Sequence, residues 1–146
     1  MFSRIVAFVI VLVMLTAAMP TSQAQAVESV TYFMAGIHQT KIVAGIVHNV
    51  TIELNQAAAN VTIRATTYGF AYSNSTNNYS WSYDGGAWND NLYGYYIKNQ
   101  SHKYGDTYCF HIALANNADP GTWHWIVEVD GAEEYNETMP VEAPVA

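Results

Sequence analysis

The chain has 146 residues, of which 51% are hydrophobic, 14% aromatic and 12% charged, with one cysteine. This length holds one domain with or without a processing segment, and it excludes a complete (β/α)8 barrel, which needs about 200 residues or more. The net charge of −7 repels phosphate backbones and argues against nucleic-acid binding, while the aromatic content argues against disorder.

In chain order, Arg4 is the only charge ahead of an apolar run from Ile5 to Met19, which Pro20 and the small polar stretch Ser22-Gln23-Ala24-Gln25-Ala26 follow. A positive start, an apolar middle and an Ala-x-Ala end make the three-part pattern of a secretory signal peptide, with cleavage expected after Ala24 or Ala26. The run is shorter than the roughly 20 residues a spanning helix needs. The expected organisation is therefore a signal peptide over 1–26, one domain over 27–139 and a short tail over 140–146. Neither a later membrane span nor a lipid-anchor tail is legible, so the mature chain is expected outside the cell, held at the surface only by partners.

After residue 26 the pattern is that of strands: apolar and polar residues alternate, rich in β-branched and aromatic side chains and bounded by Gly, Asn, Asp and Pro. The first expected strand is Ser29 to Met34. The second is one continuous run, Ile42 to Leu54, with Val50, Ile52 and Leu54 on one face and Asn49, Thr51 and Glu53 on the other. In the third, Val61, Ile63 and Ala65 alternate with Asn60, Thr62 and Arg64, and Tyr68 to Tyr72 continues or follows it. Further strands are expected at Tyr79 to Tyr83 before the turn Asp84-Gly85-Gly86, at Leu92 to Ile97, at Thr107 to Leu114, and at Thr122 to Asp130. In the last of these Trp123, Trp125, Val127 and Val129 oppose His124, Ile126 and Glu128. A short final strand over Glu134 to Thr138 is expected to stop at Pro140. Seven or eight short strands and no helical stripe predict an all-β, two-sheet sandwich.

Asn-x-Ser/Thr occurs six times, at Asn49, Asn60, Asn74, Asn78, Asn99 and Asn136. The composition alone would place about two such acceptor motifs by chance, so the excess points to N-glycosylation. In the second and third strands the acceptor falls on the polar face. Cys109 has no internal disulfide partner, whereas small extracellular animal domains usually carry several bridges. Export and sequons without disulfides point to an archaeal type of cell envelope. Cys109 is expected to be a small buried side chain, with an intermolecular bridge as the sharper alternative.

Two segments carry a resemblance. Asp119-Pro-Gly-Thr-Trp-His-Trp-Ile-Val-Glu-Val-Asp-Gly131 resembles the late strand of immunoglobulin-like or fibronectin-III-like modules of microbial surface proteins, and Gly105-Asp-Thr-Tyr-Cys-Phe-His-Ile112 resembles the strand before it. The resemblance implies an immunoglobulin-like sandwich acting as a binding or structural module. With one cysteine, antibody-type domains are not implied.

Candidate chemistry is sparse. A copper site on Cys109 and His111 lacks a methionine on the same loop, since none follows until Met139. A zinc site would need His111 and His124 to meet on neighbouring strands, and no ligand spacing supports it. Asp84, Asn89, Asp90 and Asn91 offer oxygen ligands for a weak Ca2+ site, although these are also ordinary turn residues. No nucleophile elbow or paired-carboxylate frame is present, so no enzyme is expected. Nine of eleven tyrosines lie between Tyr68 and Tyr108, with Trp81 and Trp88. Core packing is the first reading of this band. A contact or carbohydrate surface on Trp81, Tyr83, Trp88, Tyr93 and Tyr95 is the alternative. The functional expectation is a secreted, glycosylated structural subunit of a surface layer or filament. It would associate with itself or other envelope proteins, with Val27, Val30, Tyr32 and Met34 as a donated strand. An adhesion module that binds glycans is the rival, and a small metal protein or secreted enzyme the second.

Overall fold

The computed structural model describes residues 26–67, 77–90, 95–96 and 101–144. The expected signal peptide, the expected strand at Tyr68 to Tyr72 and most of Leu92 to Ile97 lie outside the described residues. The described chain is all strand, turn and loop. Its strands are β1 (Val27–Met34), β2 (Ile37–His38), β3 (Ile42–Val43), β4 (His48–Leu54), β5 (Asn60–Thr67) and β6 (Asn78–Asp84), then β7 (Ala87–Asp90), β8 (Tyr95–Tyr96), β9 (His102–Tyr104), β10 (Thr107–Ala113), β11 (Gly121–Val129) and β12 (Ala132–Glu142). The strand count exceeds the seven or eight expected because several are two- or three-residue fragments along sheet edges.

Two six-stranded sheets result. One runs β2-β1-β4-β10-β8, with β9 also paired to β10, and the other runs β3-β12-β11-β5-β6-β7. All pairings are antiparallel except β3 with β12. The alternation read from the sequence decides the faces. Val50, Ile52 and Leu54 of β4, Val61, Ile63 and Ala65 of β5, and Trp123, Trp125, Val127 and Val129 of β11 all point into one shared core. Rings join the sheets there: Tyr32 meets Trp125 edge-on at 5.5 Å, and Trp88 meets Phe110 at 5.0 Å. Tyr79 adds a polar tie, its hydroxyl accepting from the Ala115 N–H at 2.9 Å.

Two-residue turns close β1–β2 at Ala35-Gly36, β6–β7 at Gly85-Gly86 and β11–β12 at Asp130-Gly131, with φ positive at both residues of each. Such turns share the right-handed twist of the strands they connect.

Two sequence expectations need correction. The continuous strand Ile42 to Leu54 is two strands in different sheets. The break comes at Gly45, whose φ of +80° only glycine adopts cheaply. There the chain crosses over, Ala44 N–H donating to Glu142 O at 3.0 Å and Gly45 N–H to Leu114 O at 2.8 Å. An unbroken apolar run hides such a crossing, because it serves either core face equally well. The final strand spans Ala132–Glu142 rather than Glu134 to Thr138, and Pro140 lies within it, paired with Thr122. β12 is unpaired on its outer side until Val141 meets Ile42, and an edge strand accommodates proline. Val141 is consequently a core residue rather than part of a tail. The donor candidates sit in their own sheet: Val27, Val30 and Tyr32 pair with Leu54, Ile52 and Val50, and Met34 pairs with Ile37.

Candidate functional site

Tyr79, Trp81, Tyr83, Trp88 and Tyr108 of the aromatic band turn inward. Trp81 has 0% exposure and stacks on Tyr79 at 5.4 Å, so it presents no face to a sugar or partner, contrary to the contact-surface alternative. Tyr83 and Trp88 are half-buried, pack on each other at 4.9 Å, and reach Tyr108 and Phe110 across the sheets. Tyr93 lies outside the described residues, and Tyr95 falls in β8 opposite Ala113. The exposed aromatic of this stretch among the described residues is Tyr104, stacked on His102 at 5.8 Å.

The metal candidates disperse. His111 on β10 and His124 on β11 occupy the outer faces of opposite sheets, so they point away from each other rather than meeting. Asn89 and Asp90 are consecutive strand residues and project to opposite faces, while Asp84 is met by the amide of Asn60. Among the described residues no group of three His, Cys, Asp or Glu side chains could hold a metal ion. Cys109 is buried at 4% exposure, with Thr51 Oγ1 3.8 Å from its sulfur.

The acceptor asparagines lie together in orientation rather than in place. Asn49, Asn60 and Asn78 each adjoin an inward core residue and therefore stand on outer faces, Asn136 is exposed opposite the outward Ile126, and Asn74 and Asn99 lie outside the described residues. Asn49 occupies the middle strand of the first sheet's outer face. Its Cα partners are Phe33 on β1 and His111 on β10. Thr51, the third residue of its sequon, donates from Oγ1 to Asn49 Oδ1 at 3.3 Å.

A groove of about 430 Å3 opens beside Asn49, its walls formed by Phe33, Met34, Ile46, Val47 and His111. Ile46 and Val47 are more than one-third exposed, and Ile37 of the adjoining β1–β2 hairpin is 67% exposed. His111 Nδ1 is a buried polar atom without a hydrogen-bond partner. Burial, and then the His102 ring 6.0 Å away, hold the His111 imidazole below its ordinary range. Behind the groove, His48 is buried at 1% exposure and bridges the crossing segment. Its Nδ1–H donates to Ile46 O at 2.9 Å, while its Nε2 accepts from Val43 N–H at 3.4 Å. This pairing requires the neutral ring, and burial lowers its pKa. Sequence reasoning treated all five histidines as ordinary and missed the groove. The available signal was the alternation that, carried one residue past Tyr32, sets Phe33 outward opposite Asn49.

Tyr32 of β1 and Tyr135 of β12 lie close enough to perturb each other's phenol. Burial is the first cause that raises both phenols, above all Tyr32. No helix among the described residues is long and apolar enough to cross a membrane.

These features define a class: an all-β protein of two sheets around one core, with sequon asparagines on its outer faces. No family model matches the chain, and no curated protein or solved structure matches it.

Proposed function

We propose that the chain is an exported, N-glycosylated, immunoglobulin-like module that serves as a structural subunit of an archaeal type of cell envelope, in a surface layer or an extracellular filament, and that it works by contact rather than catalysis. The observation that carries this reading is the outward direction of Asn49, Asn60, Asn78 and Asn136 over a largely apolar interior. An acceptor amide must reach solvent to bear a sugar. Val50, Val61 and Tyr79, next to Asn49, Asn60 and Asn78, lie in the core, and Asn136 is itself exposed. Export is supported by Arg4, the apolar run Ile5 to Met19 and the small residues ending at Ala24 or Ala26.

The strand order supports the immunoglobulin-like part. The sequence β1, β4, β10, then β8 and β9, facing β12, β11, β5, β6 and β7, runs parallel to the ABED and GFCC′C″ sheets of the variable-type fold. Aromatic contacts, Tyr32 on Trp125 and Tyr79 between Trp81 and Trp123, occupy the core of a domain with one cysteine.

Assembly by strand donation then takes the form of exchange. β1 carries Val27, Val30, Tyr32 and Met34, and the place it fills beside β4 in its own sheet is the place it would fill in a neighbour's, so the two arrangements share their contacts. The inward direction of Trp81, Tyr83 and Trp88 favours contact through edges and sugars over an aromatic glycan platform.

The test is the native material from its own host, examined by electron microscopy and by mass spectrometry of its glycopeptides. Ordered polymers bearing sugars are expected, and bare monomers overturn the proposal. Exchange is tested separately with Ser29→Cys plus Glu53→Cys in a Cys109→Ser background, which joins Cα partners of β1 and β4. Oxidation within one chain should abolish assembly. If locked subunits still polymerise, donation by β1 is excluded.

A further inference from the structure

We infer that the groove over β1, β4 and β10 is the seat of an oligosaccharide joined to Asn49, whose first sugar lies between Phe33 and His111 and forms a structural part of the domain. The inference rests on the glycoprotein reading above and adds a particular place and role for one sugar.

Geometry carries it. Asn49 stands in the central of three strands, and its direct cross-strand neighbours are Phe33 and His111. Strands lie about 4.8 Å apart and side chains stand roughly perpendicular to the sheet. A group joined to Asn49 Nδ2 therefore leaves the surface between those two rings and cannot avoid them. The Thr51 hydroxyl holds Oδ1 of the same amide, which leaves Nδ2, the atom that carries the sugar, for the bond.

The chemistry of the walls matches that occupant. A pyranose has a face of C–H groups and a rim of hydroxyls. Phe33, Met34, Ile46 and Val47 offer apolar surface to the first, and a flat ring covers such a face with little loss of side-chain freedom. His111 offers a nitrogen to the second. Its Nδ1 has no partner, a condition that buried polar atoms seldom tolerate, and a turn of the imidazole about Cβ–Cγ brings that atom toward the groove. Lowered basicity keeps the ring neutral, with one nitrogen able to accept from a hydroxyl. The groove is of the size that binds small ligands, about 300–1,000 Å3. Asn136 offers a contrast: it is exposed on β12, opposite Ile126, with its Oδ1 against His124.

The experiment uses the full chain secreted from a glycosylating host. Mass spectrometry of the glycopeptides first reads which acceptors carry sugar. Thermal unfolding is then compared for the parent, Asn49→Gln, Phe33→Leu and the double variant, with Asn136→Gln as control. Expected are sugar on Asn49, a Tm loss of about 2–6 °C for Asn49→Gln, and no loss for Asn136→Gln. Phe33→Leu should cost a similar amount in the glycosylated protein and clearly less once Asn49 is gone, since coupled groups are not additive. A nuclear Overhauser contact between the Phe33 ring and the first sugar, read on the parent protein, keeps the test independent of variant folding. Sugar on Asn49 with additive losses and no such contact overturns the seat while the glycoprotein reading stands. Sugar on other acceptors but not on Asn49 does the same. A protein without sugar at any acceptor overturns both.

Discussion

The two faces of β10 show how neighbouring residues acquire different tasks. Tyr108, Phe110 and Ile112 point inward and have no exposed surface, while Thr107, Cys109 and His111 point outward beside β4, the first two also beside β9. Two of the outward residues are covered almost as well, Thr107 at 8% and Cys109 at 4% exposure, and His111 is half-buried, yet the three keep hydroxyl, thiol and imidazole groups where the inner face has rings and aliphatic chains. The inner face contributes area and fit. The outer face holds polar atoms beside an acceptor asparagine and an apolar groove. Only the two-residue period separates them, and a slip of one residue would exchange the two sets.

The sharpest way to break this comparison is to remove mass from the inner face. Trp81→Ala empties a fully buried site beside Tyr79 and should cost about 3–5 kcal/mol, read as a lowered midpoint in denaturant unfolding. A loss below about 1 kcal/mol would mean that the inner rings do not carry the fold.

His48 sits between the two regimes, buried like the core but polar like the outer face. His48→Gln should cost about 1–3 kcal/mol at pH 7.5, because Ile46 O and Val43 N–H lose their partner. The pH dependence follows from the direction of its shift. The folded pKa lies below the ordinary 6.5, so above pH 6.5 both folded and unfolded rings are neutral and the contribution is complete. As pH falls through 6.5 toward the folded value, the unfolded chain takes up the proton first and stability declines. His111 is shifted in the same direction and adds to the slope. Tm measured from pH 8 to pH 5 should hold and then drop below 6.5, and His48→Gln should flatten part of the drop. An unchanged slope in that variant would remove His48 from the account.

The smallest effect belongs to the exposed tie between the crossing segment and β12. Lys41 Nζ lies 3.0 Å from Glu142 Oε2 with both side chains about half exposed. Lys41→Ala should change stability by less than about 0.5 kcal/mol in the same unfolding assay. A larger loss would show that the edge beside β3 depends on charge as well as on Ile42 and Val141.

Period-two alternation made β4, β5 and β11 legible, including which asparagines face outward, because burying one face of a strand leaves a mark on every second residue. It failed where the mark is uniform or weak. Ile42 to Val50 is apolar enough for either sheet, so the crossing at Gly45 was invisible apart from the glycine itself. β12 is exposed along most of its length, so its true extent and its tolerance of Pro140 depended on the strand beside it. The aromatic band was ambiguous for the same reason, since tyrosine and tryptophan serve a core and a contact surface alike. Local pattern therefore determined the all-β class, most of the strands and the faces of Asn49 and Asn60. Only the tertiary structure decided which strands share a sheet, that Trp81, Tyr83 and Trp88 turn inward, and that Phe33, Asn49 and His111 stand side by side. Those three residues come from strands far apart in the chain, and hydrogen-bonded register, which no local pattern encodes, is what aligns them.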